Sequence, residues 1–454
     1  MPIRCHSFPL PDFDPLQLYL NLCPTGPGFL ESLNPSPKTG RYSIVPLRWS
    51  EHYRLESDVL MRHDQSGTTI LSGNPLDVLA QILQKRTVPV THETPFPGGF
   101  FGYFGYDLAS HIEELPQNAH RDLPSPALEL YWVDVTAVYD HDSSQLTLAT
   151  LNSEVSLADY AAIINKSEQK QPSQTLKTIK PPEPIISRDQ FISMVEQGKK
   201  YISAGDIYQV NLSCRFEGKI EGDSTELYHQ LRQINPAPFS CFLHFPDLDI
   251  ISSSPERLVS LREGLAETRP IAGTRPRGYT PDKDQSLGKE LLGHPKERAE
   301  HIMLLDLERN DLGKVCQAGS VEVDELMVLE RYSHVTHIVS NVRGHLNNEC
   351  GPFDLLKATF PGGTITGVPK KRCMEIIDEL EPVGRSSYTG SAGYISACGT
   401  MDLNILIRSF QRSGQRLTYQ TGAGIVADSI PEKEWQECLH KGEALRALLH
   451  RFKR

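Results

Sequence analysis

The sequence predicts an α+β fold with a large share of sheet, and three observations carry that prediction. Short β-like runs bounded by turn residues fill the first part of the chain. Amphipathic helical stripes then alternate with strand-like runs to the end. No internal repeat is present, which disfavours solenoids and propellers.

In chain order, PFPGGFFGYFGYDL is a Gly/aromatic stretch of strand character. TAVYDHDSSQLTLATL reads as a hairpin, with two apolar segments flanking a DHDSS turn. Residues 166–184, KSEQKQPSQTLKTIKPPEP, form the one clear compositional break, polar and rich in Pro and Gln, and read as a surface connector. The chain divides there into an N-terminal region, 1–165, and a larger region, 185–454. SRDQFISMVEQGKKYISAG places Phe191, Met194, Val195, Tyr201 and Ile202 on one helical stripe, with Ser187 as N-cap and Gly205 as stop. The strand IYQVNLS follows. DIISSS and LTYQTGAGIV are further strands, and PKERAEHIMLLDLERNDLG, PKKRCMEIIDELE and PEKEWQECLHKGEALRALL are helices.

The composition excludes several classes. Hydrophobic residues are 39% and charged residues 23% of the 454, values of a folded globular chain rather than a disordered or fibrous one. With 46 Lys+Arg against 57 Asp+Glu the formal charge is −11, which argues against nucleic acid as a partner. An anionic small substrate would have to be held locally, by Arg, backbone N–H groups or a metal. No run is apolar enough to cross a bilayer, and MPIRCHSFPLPDFDP carries Pro and Asp where a signal peptide needs apolar residues, so a cytoplasmic location with no membrane partner is expected. The nine cysteines form no C-x-x-C pair, so reduced thiols are expected.

Two glycine-rich stretches imitate nucleotide motifs and fail as such. PGGTITGVPK has Val368 where a P-loop requires Lys, and TGAGIVAD lacks the acidic residue and βαβ context of a dinucleotide fold. Their glycines can still bring backbone N–H groups close to a carboxylate. Two carboxylate pairs are more informative. Glu297 and Glu300, and Glu434 and Glu437, are each spaced by three and so share a helix face. Ser429 as N-cap, Pro431 at N1 and Glu432 in a capping box fix the register of the second helix. By spacing alone each pair is more often a solvated face. If the faces met, the four carboxylates would require a hard cation such as Mg²⁺. His337 in HVTHIVS reads as a satisfied sheet histidine, Arg408 in ILIRSF as an Arg within an apolar strand that asks for an anion, and Glu256 in SSSPERLVS as a general acid or a cap.

Read together, GGFFGYFGYD, GDIYQVNLS, SPERLVS, RPIAGTRPRG, ERAEHIMLLDLERNDLG, VTHIVSNV, PGGTITGVPK, GSAGYIS, MDLNILIRS, GAGIVADS and EWQEC resemble, in order, the chorismate-utilising enzymes of the anthranilate synthase component I type. The match covers most of the chain. It implies a large two-sheet β-sandwich core with surrounding helices, an anthranilate synthase component I-like N-terminal region and a chorismate-binding catalytic domain over 185–454. It implies a Mg²⁺ site in which Glu300 and Glu437 ligate the ion and Glu297 and Glu434 hold its waters. Glu256 matches the acid that protonates the leaving ring hydroxyl. Tyr388, Arg408 and the backbone around Gly422 and Gly424 match positions that hold the enolpyruvyl carboxylate of chorismate. Gly273, Thr274, His337 and Thr364 match positions around the ring, with Thr274 and His337 counted among the catalytic set.

Relatives that add water place a Lys base where this chain has Gln209, and neutral Gln cannot abstract a proton, so ammonia is the expected nucleophile. GYFGYDL, NPAPFSCF and TGSAGYISACGTMDLNILIRS favour aminodeoxychorismate synthase component I, of the para-aminobenzoate and folate route. Ala272 in PIAGT, where many members of that branch carry a Lys nucleophile, keeps anthranilate synthase component I as the alternative. A silent chorismate-binding regulatory module is the rival of another class. The resemblance also implies a heterodimer with a separate glutamine amidotransferase subunit that supplies ammonia. FLES and GRYSI resemble a tryptophan pocket with Glu31 and Ser32 at its wall, while NPAPFS departs from the opposite wall and argues against feedback inhibition.

Overall fold

The computed structural model describes residues 3–33, 39–331 and 335–452, and of Thr274 and Val335 the backbone only. The strands join into one continuous antiparallel sheet with helices on its outer faces. Two long strands, Tyr42–Glu56 and Leu128–Asp140, pair from Tyr42↔Asp140 to Leu55↔Leu128 and serve as its spine. From one end of the spine the sheet runs through Gly28–Glu31, Phe239–Phe245, Leu248–Ser254, Ser409–Ser413, Arg416–Ile425 and Gln209–Glu221. From the other it runs through Gly99–Phe104, Ser391–Ser396, Met401–Asn404, Arg257–Arg262, Leu265–Thr268 and Val335–His345, with Ile271–Pro276 and Glu322–Arg331 beside the last.

The two branches fold back face to face. Phe101, Tyr103 and Tyr131 from one meet Cys241, Leu243 and Phe245 from the other in a closed apolar layer, with the Phe245 ring 5.3 Å from Tyr103 and 5.9 Å from Tyr131. Such a layer is the interior of a two-sheet sandwich. The Gly99–Phe104 strand is buried on both faces, because Phe100 on its reverse side packs against Phe353 of the helix Pro352–Thr359. Gly102 must lack a side chain here: a Cβ would lie 2.2 Å from the Glu129 carbonyl oxygen.

Local signals in the sequence are largely realised. The DHDSS turn closes the hairpin of Leu128–Asp140 and Gln145–Thr150. Helix Arg188–Ala204 begins at Ser187 in a full capping box with Gln190 and ends at Gly205 in the left-handed conformation. The nine cysteines are free thiols, and no helix among the described residues is long and apolar enough to cross a membrane.

Four expectations are corrected. The second half of the connector, Lys177–Pro184, is an edge strand on Gln209–Glu221, where prolines are tolerated because an edge strand has N–H groups that need no partner. The cap of helix Pro431–Lys441 is Ile430 rather than Ser429, with no side-chain bond. Ser429 accepts from the Val426 N–H and bonds Glu434 instead. PEKEWQECLHKGEALRALL forms two helices, Pro431–Lys441 and Glu443–His450, broken at Gly442. Arg408 lies in the bend before Ser409–Ser413, at φ 52°, not within a strand.

Candidate active site

Helices Pro295–Gly313 and Pro431–Lys441 carry the two carboxylate pairs, and the sheet brings them to one place. Pro295–Gly313 packs on Ile271–Pro276 and Val335–His345, and Pro431–Lys441 on Arg416–Ile425. Phe191 and Trp435, with ring centroids 5.5 Å apart, fix the second helix against Arg188–Ala204. Gln209–Glu221 lies beside Arg416–Ile425, so Gln209 reaches across the ladder and its Nε2 donates to Glu300 Oε1 at 2.8 Å.

The glutamates feel one another. Burial raises the Glu300 carboxyl above its ordinary range, and Glu297 and Glu437 raise it further. Burial also raises Glu434, with Glu437 adding to the effect, and Lys296 offsets both. Two of the four already hold cations: Glu437 binds Lys441 at 2.7 Å, and Glu297 binds Arg275 at 3.2 Å. Among the described residues no three His, Cys, Asp or Glu side chains are close enough to hold a metal together. Mg²⁺ does not require three, since it keeps most of its waters and takes one or two carboxylates. The donor set fits such an ion: oxygen ligands only, mutually repelling, with the buried acceptor Gln209 Oε1 lacking a hydrogen-bond partner among the described residues.

The glycines of the resemblance line the same place. A Cβ on Gly273, itself at φ 64°, would lie 2.9 Å from Glu297 Oε2. One on Gly424 would lie 2.5 Å from Gln209 Nε2 and 3.5 Å from Glu300 Oε1. One on Gly422 would lie 3.0 Å from the Tyr388 hydroxyl, and Lys441 Nζ donates to the Gly422 carbonyl at 2.9 Å. The bare backbone therefore forms a floor that glutamates and Tyr388 overhang.

Opposite this floor stands an acid with a cation. Glu256 is buried and accepts from Thr364 Oγ1 at 2.9 Å; burial pushes its carboxyl up to about 7. The Arg408 guanidinium forms no ion pair or hydrogen bond among the described residues. Burial pulls it below its ordinary value, with Glu256 the one charge opposing that. His337 is buried with Nδ1 3.4 Å from the Gly273 carbonyl, which fixes that nitrogen as the donor. Burial first and Arg408 second bring it down to about 4, so it is neutral near pH 7. The side chain of Thr274 lies outside the described residues.

Glu31 and Ser32 are not part of this site. They wall a separate cavity of about 240 Å³ inside the sandwich, with Pro238 and Phe239 of NPAPFS opposite, as the sequence implied. Glu31 binds Arg232 at 3.0 Å and accepts from the Tyr228 hydroxyl, and burial raises its carboxyl to about 7.

Four residues near the site escaped the sequence reading. Lys441 stands four residues after Glu437, a spacing that was visible. Arg385, paired with Glu381 at 2.7 Å, stacks its guanidinium 5.6 Å from the Tyr388 ring centroid and so holds that ring. Glu308 and Asp311 repeat the three-residue spacing of the site glutamates within the same helix, but on its buried side.

With this geometry in place, the comparisons define the class. Residues 45–447 match the family described as chorismate binding enzymes, and the chain belongs to that family. It is 49% identical over 371 residues to an anthranilate synthase component I-like protein of Synechocystis, covering 80% of this chain and 75% of the relative. It is 41% identical over 427 residues to aminodeoxychorismate synthase component 1 of Bacillus subtilis, covering 91% and 90%. Its fold is similar to the crystal structure of anthranilate synthase component I from Streptococcus pneumoniae, at a TM-score of 0.79 and 34% identity, covering 91% of this chain and 93% of that one.

Proposed function

We propose that this chain aminates chorismate with ammonia to aminodeoxychorismate in a Mg²⁺-dependent reaction, in the cytoplasm, as component I of aminodeoxychorismate synthase beside a separate glutamine amidotransferase subunit. The observation that carries the reading is a buried carboxyl that keeps its proton up to about pH 7, Glu256, beside a cation with no ion-pair partner among the described residues, Arg408, and opposite a glycine floor ringed by glutamates. An acid, an anion receptor and carboxylates for a cation are what a dianion with a poor leaving group requires.

Arg408, with the Tyr388 hydroxyl and the backbone at Gly422 and Gly424, binds the enolpyruvyl carboxylate. Glu300 and Glu437 would hold Mg²⁺, and Glu297 and Glu434 its waters, in place of the Lys441 and Arg275 cations that now pair with Glu437 and Glu297. When bound, the ion is a counter-charge for the ring carboxylate and a sink for charge as the hydroxyl leaves. Glu256 gives its proton to that hydroxyl, which departs as water, while Thr364 keeps the carboxyl aimed. Neutral His337, Gly273 and Thr274 border the ring. Gln209 orients Glu300 and offers Oε1 to an N–H donor, with no capacity to act as a base. Every one of these residues falls within 185–454, the proposed catalytic domain, after the 1–165 region and the 166–184 connector.

Anthranilate synthesis is the second reading. Buried Ala272 on Ile271–Pro276 favours it, because no lysine amine is available there for a covalent adduct on the way to the para product. The cavity at Glu31 and Ser32 is the candidate tryptophan site in either reading; absence of binding heat with L-tryptophan would remove it.

Purified enzyme with chorismate, Mg²⁺ and ammonium, followed by chromatography with mass detection, is expected to give aminodeoxychorismate; anthranilate alone would overturn the preference. Glutamine is expected to support turnover only with the amidotransferase subunit added. Glu256→Gln is expected to lower kcat by about 10²- to 10⁴-fold with chorismate binding kept. Unchanged kcat would refute the acid, and no turnover by the native chain would leave a binding module.

A further inference from the structure

Glu308, in the middle of helix Pro295–Gly313, is buried and has no place in the mechanism above. Two short segments clasp both it and Glu256. From Thr268–Ile271, the Thr268 hydroxyl lies 3.0 Å from Glu308 Oε2, and the Ile271 N–H donates to Glu256. From the turn Gly363–Ile365, the Gly363 N–H donates to Glu308 and the Thr364 hydroxyl to Glu256. Each carboxyl thus has one hydrogen-bond contact with each segment.

The Thr268 hydroxyl constrains the protonation of Glu308. It lies 3.0 Å from the Leu258 carbonyl oxygen as well as 3.0 Å from Glu308 Oε2, and it has one hydrogen. A carbonyl can only accept. With Glu308 ionised the two oxygens must share that hydrogen; with Glu308 protonated each contact becomes a full hydrogen bond, Thr268 donating to Leu258 and Glu308 to Thr268. Burial raises the Glu308 carboxyl to about 7, and the charge of Asp311 adds to this.

The charged groups facing the two acids are few. Glu308 faces Asp311 on its own helix, Lys370 on Lys370–Leu380, and Glu256; Glu256 faces Glu308 and Arg408. Lys370 is spent on Asp311, at 2.5 Å, and on the Thr359 carbonyl at 2.9 Å.

We propose that Glu308 is a positioning residue acting through Glu256: clasped by the same two segments, the two form one buried carboxyl pair that keeps a proton on the acid. The inference rests on the reading of Glu256 as the acid. In the step, the proton passes from Glu256 to the ring hydroxyl oxygen, the C–O bond breaks with its electrons, and water leaves. Glu256 is left as a carboxylate beside Glu308, and solvent admitted as the products leave reprotonates it.

Two negative charges at one buried place resist joint ionisation. Removing the charge at 308 lets Glu256 ionise at lower pH. The Glu308→Gln enzyme is therefore expected to show the alkaline limb of kcat/KM about one pH unit lower. Its rate at pH 8 should fall about tenfold against the native enzyme, with less than a twofold change at pH 6. Glu308→Asp, which restores a charge, should recover part of the limb.

A profile of Glu308→Gln that superimposes on the native one, or a loss equal at every pH, overturns the pair. Should that variant fold poorly, infrared titration of the carboxyl bands gives the reciprocal reading. Glu308 should ionise at lower pH in Glu256→Gln than in the native chain, and an unmoved titration overturns the pair. Retained turnover in Glu256→Gln defeats the acid itself; an inactive Glu256→Gln with an unmoved Glu308→Gln profile defeats only the pair.

Discussion

Replacing Arg408 by Met separates what the residue does for the fold from what it does for the substrate. The guanidinium is half-buried, has no ion pair among the described residues, and sits in a bend at φ 52°. Arg and Met suffer that backbone conformation alike, so the substitution isolates the charge. Withdrawing a partly exposed charge from water without a partner costs about 1–2 kcal/mol, at the low end of the range for buried polar groups. At roughly 2.1 cal/mol/K of unfolding entropy per residue, 454 residues give about 1 kcal/mol/K. The Arg408→Met protein without substrate is therefore expected to melt about 1–2 °C higher than the native one. With chorismate the sign reverses. Charge-assisted bonds to a carboxylate contribute about 2–4 kcal/mol, or roughly 30- to 700-fold in affinity. Thermal melts with and without chorismate, together with steady-state KM, read both effects. A variant that melts lower without substrate and binds chorismate unchanged refutes Arg408 as the anion receptor.

Two further substitutions test the floor and the inner cavity. Gly422→Ala brings a Cβ to 2.5 Å from Asn211 Oδ1 and 2.9 Å from the Leu212 carbonyl oxygen. The strand cannot yield there, so a stability loss of about 1–3 kcal/mol and at least a tenfold rise in KM for chorismate are expected in denaturation and kinetics; a native KM would remove the floor from the site. Glu31 has its folded carboxyl raised from 4.5 to about 7, so its contribution to stability is fully present below 4.5 and is lost as pH rises through 7. Denaturation of Glu31→Gln between pH 5 and 8 is expected to show a flatter decline than the native chain; parallel curves would refute the assignment.

Much of this architecture was legible because local chemistry sets it. The Ser187 cap and Gly205 stop define a helix by hydrogen bonds to neighbours a few residues away, and the DHDSS hairpin by a short turn. What failed was context. Ser429 has the side chain of a cap, but Glu434 of the next turn takes its hydroxyl, a competition that spacing does not express. Arg408 follows apolar residues that read as a strand until the bend turns it inward. Spacing put Glu297 with Glu300 and Glu434 with Glu437, yet only the sheet, by laying Gln209–Glu221 along Arg416–Ile425, brings the pairs to one floor. The same spacing at Glu308 and Asp311 went unread because a three-residue interval does not tell which side of a helix is covered.

The protonation states around the ring bear on the choice of nucleophile. A water nucleophile needs a base to take its proton as it attacks; ammonia carries its own lone pair and can shed a proton afterwards. Gln209 has nothing to accept a proton with, and its Nε2 is committed to Glu300. His337 is neutral, but a group brought down to about 4 is too weak a base to activate water near pH 7. Lys441 Nζ is committed to Glu437 and to the Gly422 carbonyl. Burial pushes Glu256, Glu300 and Glu434 toward their protonated forms. Among the described residues acids are in supply and none of Gln209, His337 and Lys441 is a competent base, which suits a reaction whose difficult moment is the departure of hydroxyl and supports the proposed ammonia chemistry over hydration.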